Sequence, residues 1–174
     1  MFRPVVRYLN DPVLEKPAEA VTEFGTAELR QLVDDMFETM YESHGVGLAA
    51  PQVAISRRVA VIDVAGAEED AKPQKIVLVN PQVIAKAGKQ TGEEGCLSIP
   101  GFREPVTRAK VATVRAQDVE GQWFELTGED LLARALLHEI DHLDGILFLN
   151  HLSALKRDLI KRKIRKMQKA GEWE

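Results

Sequence analysis

LLARALLHEIDHLDG, residues 131–145, is a leucine-rich run interrupted by two imidazoles and a carboxylate. Leu131, Leu132, Ala135, Leu136, Ile140 and Leu143 recur at helical spacing, so the run predicts a helix with one buried side, stopped by Gly145. Just ahead, TGED puts Asp130 three residues after Thr127, which predicts a capping box and a helix start at Thr127. His138 and His142 then lie one turn apart on one face and can share a metal ion. Glu139 is rotated about 100° from His138, a poor angle for a third ligand but a good one for touching a water held by the ion. This is the HExxH pattern, in which the glutamate acts as general base. Two ordinary core histidines would be the plainer reading. It leaves Glu139 unexplained on a helix where unpaired polar groups are costly.

A catalytic metal site needs a third protein ligand and an open position. The metzincin extension HExxHxxGxxH matches at Gly145 and fails at Phe148. His151 lies beyond the helix stop, and Glu172 and Glu174 sit near an end expected to be disordered. Cys96, the single cysteine, stands in the glycine-flanked segment EEGCLSIPG and offers a soft thiolate suited to zinc or ferrous iron. A lone cysteine is more often buried and inert. The missing third ligand favours ligation here.

Working outward, Thr26 predicts an N-cap for a first helix over 26–44, with Leu29, Leu32, Val33, Met36, Phe37, Met40 and Tyr41 as its apolar stripe. GVGLAAPQ, residues 45–52, reads as a loop. Residues 58–64 and 75–84 are rich in β-branched residues and predict strands, the second bent or at an edge because of Pro81. Residues 111–117 and 123–126 flank a hairpin turn, DVEG. A third helix is expected over 152–167, with Leu155, Leu159, Ile160, Ile164 and Met167 as its stripe. Strands without regular βαβ alternation predict an α+β fold, with small antiparallel or mixed sheets around the HExxH helix and one helix from each end of the chain.

The 174 residues suit one domain, with 45% hydrophobic and 29% charged residues. Residues 1–150 are expected to form the catalytic part and 151–174 a basic amphipathic helix of the same domain. No stretch resembles a signal peptide or membrane span, and a single cysteine suits a reducing, cytoplasmic setting. Lys156–Lys169 holds eight of the 23 Lys and Arg residues and one of the 27 Asp and Glu residues. The remainder carries a net charge of −11, which argues against a DNA-binding body.

With GVGLAAPQ, EGCLSIP and HEIDH in this order, the chain resembles peptide deformylases over nearly its whole length. The resemblance implies hydrolytic release of formate from the formyl-methionine of nascent polypeptides. It implies a metal held by Cys96, His138 and His142, ferrous iron in many members, with zinc, nickel or cobalt able to replace it. It implies that Glu139 takes a proton from the metal-bound water and passes it to the departing amine. The Gln52 amide and the Leu97 N–H would face the developing oxyanion. Substrate would lie as an added strand along Gly45, Val46, Gly47 and Gly95, with Arg103 as a carboxylate or backbone partner, and Val46, Leu131, Ala135 and His138 would line the methionine pocket. Leu137 and Arg134 depart from the glutamine and aliphatic residue that other members carry there, a difference of substrate preference away from the metal chemistry.

Lys161, Arg162, Arg165, Lys166 and Lys169 are expected to dock on ribosomal RNA phosphate by salt-dependent contacts. Two other classes compete. An HExxH endopeptidase would use a non-cysteine third ligand. A structural metal module with an RNA-binding helix would need a fourth protein ligand, for which His151 is the candidate.

Overall fold

Val59–Ile62 (β2) is buried along its whole length, and its alternation divides the interior in two. In the computed structural model, which describes residues 1–67 and 72–174, Val59 and Val61 pack with Leu48 and Val79 beneath helix α1 (Ala27–Glu42). Ala60 and Ile62 join Ala49, Leu78 and Val114 on the other face, against helix α2 (Leu131–Leu143). Among the described residues the sheet has five antiparallel strands: β1 (Gly47–Ala49), β2, β3 (Ile76–Ala87), β6 (Val111–Gln117) and β7 (Trp123–Glu129), in that order. A separate hairpin pairs β4 (Gln90–Cys96) with β5 (Ile99–Arg108). Helix α3 (Ala154–Lys169) buries Ile160 and Ile164 in a third cluster with Tyr8, Leu14, Ile99, Val106, Phe148 and Trp173. The fold is α+β, with the HExxH helix at its centre.

Several boundaries differ from those expected, each for a local reason. Helix α2 does not begin at Thr127. That residue pairs across the sheet with Thr113, their hydroxyls 2.8 Å apart, so the β-branched side chain continues β7. Asp130 caps α2 with φ 53° and no side-chain cap bond. Helix α1 does take Thr26 as N-cap, its hydroxyl accepting from Leu29 N at 3.1 Å, but it ends at Glu42, and His44 adopts the left-handed turn. The 45–52 loop contains β1 and a 3-10 turn, Ala50–Val53. The glycine-rich patch around Cys96 belongs to the β4–β5 hairpin, which periodicity did not reveal. Pro81 is not at an edge: β3 lies between β2 and β6 and takes the proline through a register shift between Val79 and Gln82.

The C-terminal end is ordered. Trp173 is buried and its indole donates to the Tyr8 carbonyl at 2.7 Å. Leu155 and Leu159 of the expected α3 stripe are exposed. Gly145 does end α2, with φ 77°, and a Cβ there would meet the backbone of Glu15 and Lys16 at 2.8–2.9 Å. The N-terminal segment therefore docks directly on the end of the histidine helix.

Candidate metal centre

Helix α2 is buried from Ala133 to Ile140, and His138, Glu139 and His142 are each under a tenth exposed. The α-helical repeat brings His138 Nε2 within 3.1 Å of His142 Nε2. The last residue of β4 brings Cys96 Sγ within 3.3 Å of His142 Nε2. These three donor atoms all lie within 4.8 Å of one another. Two imidazole nitrogens and a sulfur so close are poor neighbours by themselves and good ligands for one divalent cation.

The outer contacts fit that use. His138 Nδ1 donates to Glu94 Oε1 at 2.5 Å, which turns Nε2 toward the cluster. Glu94 is held in turn by Arg108, whose Nη2 and Nε donate at 2.6 and 2.8 Å to its two oxygens. Arg134 Nη1 adds a bond at 2.6 Å. Arg134 therefore touches the carboxylate that supports His138 of the cluster, contrary to the expectation that it stands apart from that site. Arg108 also donates to Asp141 at 2.9 Å. His151 donates to the same Asp141 oxygen at 2.8 Å and is not part of the cluster.

Charges follow from burial. Burial pushes the Glu139 carboxyl up to about 7, against the pull of His138. Burial would lower His138, but Glu139, Cys96 and Glu94 override it and raise the imidazolium well above its usual value. Burial and the neighbouring His138 hold His142 well below it. Glu139 Oε1 and His142 Nδ1 are buried without a hydrogen-bond partner among the described residues. An unpartnered carboxylate oxygen beside three convergent donors is a group waiting for a polar occupant.

A cavity of about 780 Å³ opens over the centre. It is lined by Gly45, Val46 and Gly47 on one side, Gly95, Leu97 and Arg103 on another, and Leu131, Ala135 and His138 on the helix. Strand β1 has one partner, β2, among the described residues, and so presents a free edge to the cavity. The Val46 carbonyl already accepts from Asp63 N at 2.9 Å. The Gln52 amide is oriented by Ala49 N, which donates to its Oε1 at 3.0 Å. Its Nε2 then points at Ser98 Oγ (3.3 Å) and Cys96 Sγ (3.4 Å). Gly47 is packed against Glu139: a Cβ would clash with Oε2 and come within 2.9 Å of Cδ. Leu131 is exposed at the cavity mouth, and Arg103 is exposed with its Nε 3.7 Å from Glu93.

Sequence reasoning missed Glu94, Arg108 and Asp141. Glu94 did leave a signal: it stands two residues before Cys96, on the same face of a strand.

A buried HExxH pair completed by a cysteine, under an open cleft with a strand edge, is the arrangement of a metal-dependent amide hydrolase. A family model described as Polypeptide deformylase matches residues 3–158. The peptide deformylase of Acidobacterium capsulatum is 61% identical over 173 residues, covering 99% of each chain. A peptide deformylase structure from Legionella pneumophila superposes with TM-score 0.87 at 45% identity, over 100% of this chain and 99% of that one. A Met-Ala-Ser-bound class I type b peptide deformylase from Acinetobacter baumannii gives TM-score 0.81 at 37% identity, over 87% of this chain and 99% of that one. The chain belongs to the peptide deformylase family.

Proposed function

We propose that this protein removes the formyl group from the N-terminal formyl-methionine of nascent polypeptides, releasing formate. The observation that carries this is the convergence of Cys96, His138 and His142 beside the unpartnered Glu139 carboxylate. Cys96 Sγ and the two Nε2 atoms hold one divalent ion, ferrous iron physiologically, with zinc, nickel or cobalt as replacements. When bound, the ion supplies Lewis acidity and brings the pKa of water toward neutrality.

The chain's own residues do the rest. Glu139 accepts the proton of the attacking water and returns it to the amine that leaves. Gln52 Nε2 and the Leu97 N–H face the oxygen where negative charge develops. Gln52 suits this because its amide is already turned toward Cys96. The peptide backbone lies between Gly45–Val46–Gly47 and Gly95, along the free edge of β1. Its methionine side chain lies against Val46, Leu131, Ala135 and His138, and Arg103 meets the peptide beyond. A lone cysteine and a nascent-chain substrate support a cytoplasmic setting for the enzyme.

The test is formate release from a formyl-Met peptide by protein loaded anaerobically with ferrous iron. No formate at full metal occupancy would overturn the reading.

The basic face of α3 docks the enzyme on ribosomal RNA. Arg162, Arg165, Lys166 and Lys169 are exposed, and Lys161 is half-buried beside them. Reversing all five charges is expected to abolish co-sedimentation with ribosomes at low salt and leave formate release from a short peptide unchanged. Undiminished co-sedimentation would remove the idea.

A further inference from the structure

Arg134 stands in the cleft wall with a charge that the proposed reaction does not use. It is 8% exposed and lies one turn before His138 on α2. A guanidinium so buried needs partners. Nη1 donates to Glu94 Oε2 at 2.6 Å and to the Val106 carbonyl at 3.1 Å. Nη2 lies over β4, where a Cβ on Gly92 would come within 3.4 Å. The head is thus fixed, and the residue is part of the cavity wall.

Glu94 does not need Arg134 for charge balance. Arg108 already reaches both carboxylate oxygens, and His138 Nδ1 takes one of them. What Arg134 adds is constraint. With one guanidinium on each side, the carboxylate cannot turn about its own axis. The oxygen that His138 faces stays in place, and so does Nε2 on the far edge of the ring.

We propose that Arg134, in the wall of the pocket for the peptide's first side chain, is a positioning residue whose guanidinium, through Glu94, holds His138 toward the ion, so that filling the pocket and retaining the ion are coupled. The identity of that side chain as methionine rests on the deformylase reading above. Coupling of this kind is reciprocal. A peptide that presses on Arg134 slows release of the ion, and the ion favours that peptide over one beginning with a smaller residue.

The test uses cobalt-loaded protein and no catalysis. Transfer of Co(II) to a chelator is followed with saturating Met-Ala-Ser or Ala-Ala-Ser. In the parent, the methionyl peptide is expected to slow release more than the alanyl one. Arg134→Met keeps a stem and removes the guanidinium. It is expected to release cobalt on the order of 10-fold faster, with a shifted cobalt absorption band, and to lose the methionine–alanine difference. Parent-like release, spectrum and peptide difference in a folded Arg134→Met would overturn the proposal, whatever happens to formate release. Should Arg134→Met not fold, Arg134→Lys carries the test: it keeps the charge without the planar fork, and parent-like release there would equally overturn it. Failure of the deformylase reading looks different, since formate release would be absent from the parent while the cobalt coupling persisted.

Discussion

Replacing Glu139 with alanine is expected to lower formate release from a formyl-Met peptide by about 10²–10⁴-fold with metal content unchanged. The side chain makes no hydrogen bond with Cys96, His138 or His142 among the described residues, so the three proposed ligands should survive its removal. Burial holds its carboxyl up to about 7, far above an exposed glutamate, and a cation beside it would draw that value down. The acid limb of the parent's rate profile should therefore fall at or below pH 7 and above the ordinary carboxylate range, and the mutant's residual rate should lack it. Gly47→Ala makes the same point without altering the carboxylate. The added methyl would clash with Glu139 Oε2 and Cδ, so the side chain must turn away, and a loss near that of Glu139→Ala is expected. Full activity in either variant would remove Glu139 from the reaction.

The same carboxylate is a burden to the metal-free chain. Its folded pKa lies above its unfolded one, so the native state binds the extra proton between the two. Stability is lost as pH rises from the ordinary glutamate value through about 7, by about 3 kcal/mol in all. In metal-free protein Glu139→Gln should thus melt higher than the parent at pH 8, with the gap closing toward pH 5. A site that weakens its own fold until occupied is the usual trade at a reaction centre.

How much of this was readable from the sequence depends on range. His138, Glu139 and His142 lie within five residues of one helix, and helical spacing alone puts the two imidazoles together. Cys96 is far off in sequence and was reached by eliminating other ligands and then by resemblance. The β4–β5 hairpin that carries it escaped because its glycines and charges mask strand alternation. Thr127 misled because a threonine followed by an acidic residue signals a cap, while its cross-strand Thr113 is invisible locally. The end that holds Glu172 and Glu174 reads as disordered in the sequence, yet the Trp173 indole between them donates to the Tyr8 carbonyl and closes the third cluster. Arg108 and Asp141 carried no signal, because an ion pair between distant segments has no periodicity.

Glu94→Ala should give the largest stability loss, about 3–5 kcal/mol, because it strips a buried carboxylate from two buried guanidinium groups. For a chain of this length that lowers Tm by roughly 6–20 °C. The effect has a pH signature. Burial opposes ionisation of Glu94, but Arg108 and His138 hold its carboxyl well below the usual range. Its contribution is therefore complete above the ordinary glutamate value and declines as pH falls below it, so parent and variant should converge in acid. The two cations are not left equally exposed to the loss. Arg108 keeps Asp141, whereas among the described residues Arg134 keeps only the Val106 carbonyl. Adding Arg134→Met to Glu94→Ala should thus recover part of the lost stability, since an apolar side chain replaces an orphaned charge. It should not recover metal retention, because His138 would still lack the acceptor that fixes its ring. Equal melting of the single and double variants would show that Arg134 finds water or another partner once Glu94 is gone, and that the strain of the missing carboxylate falls on Arg108.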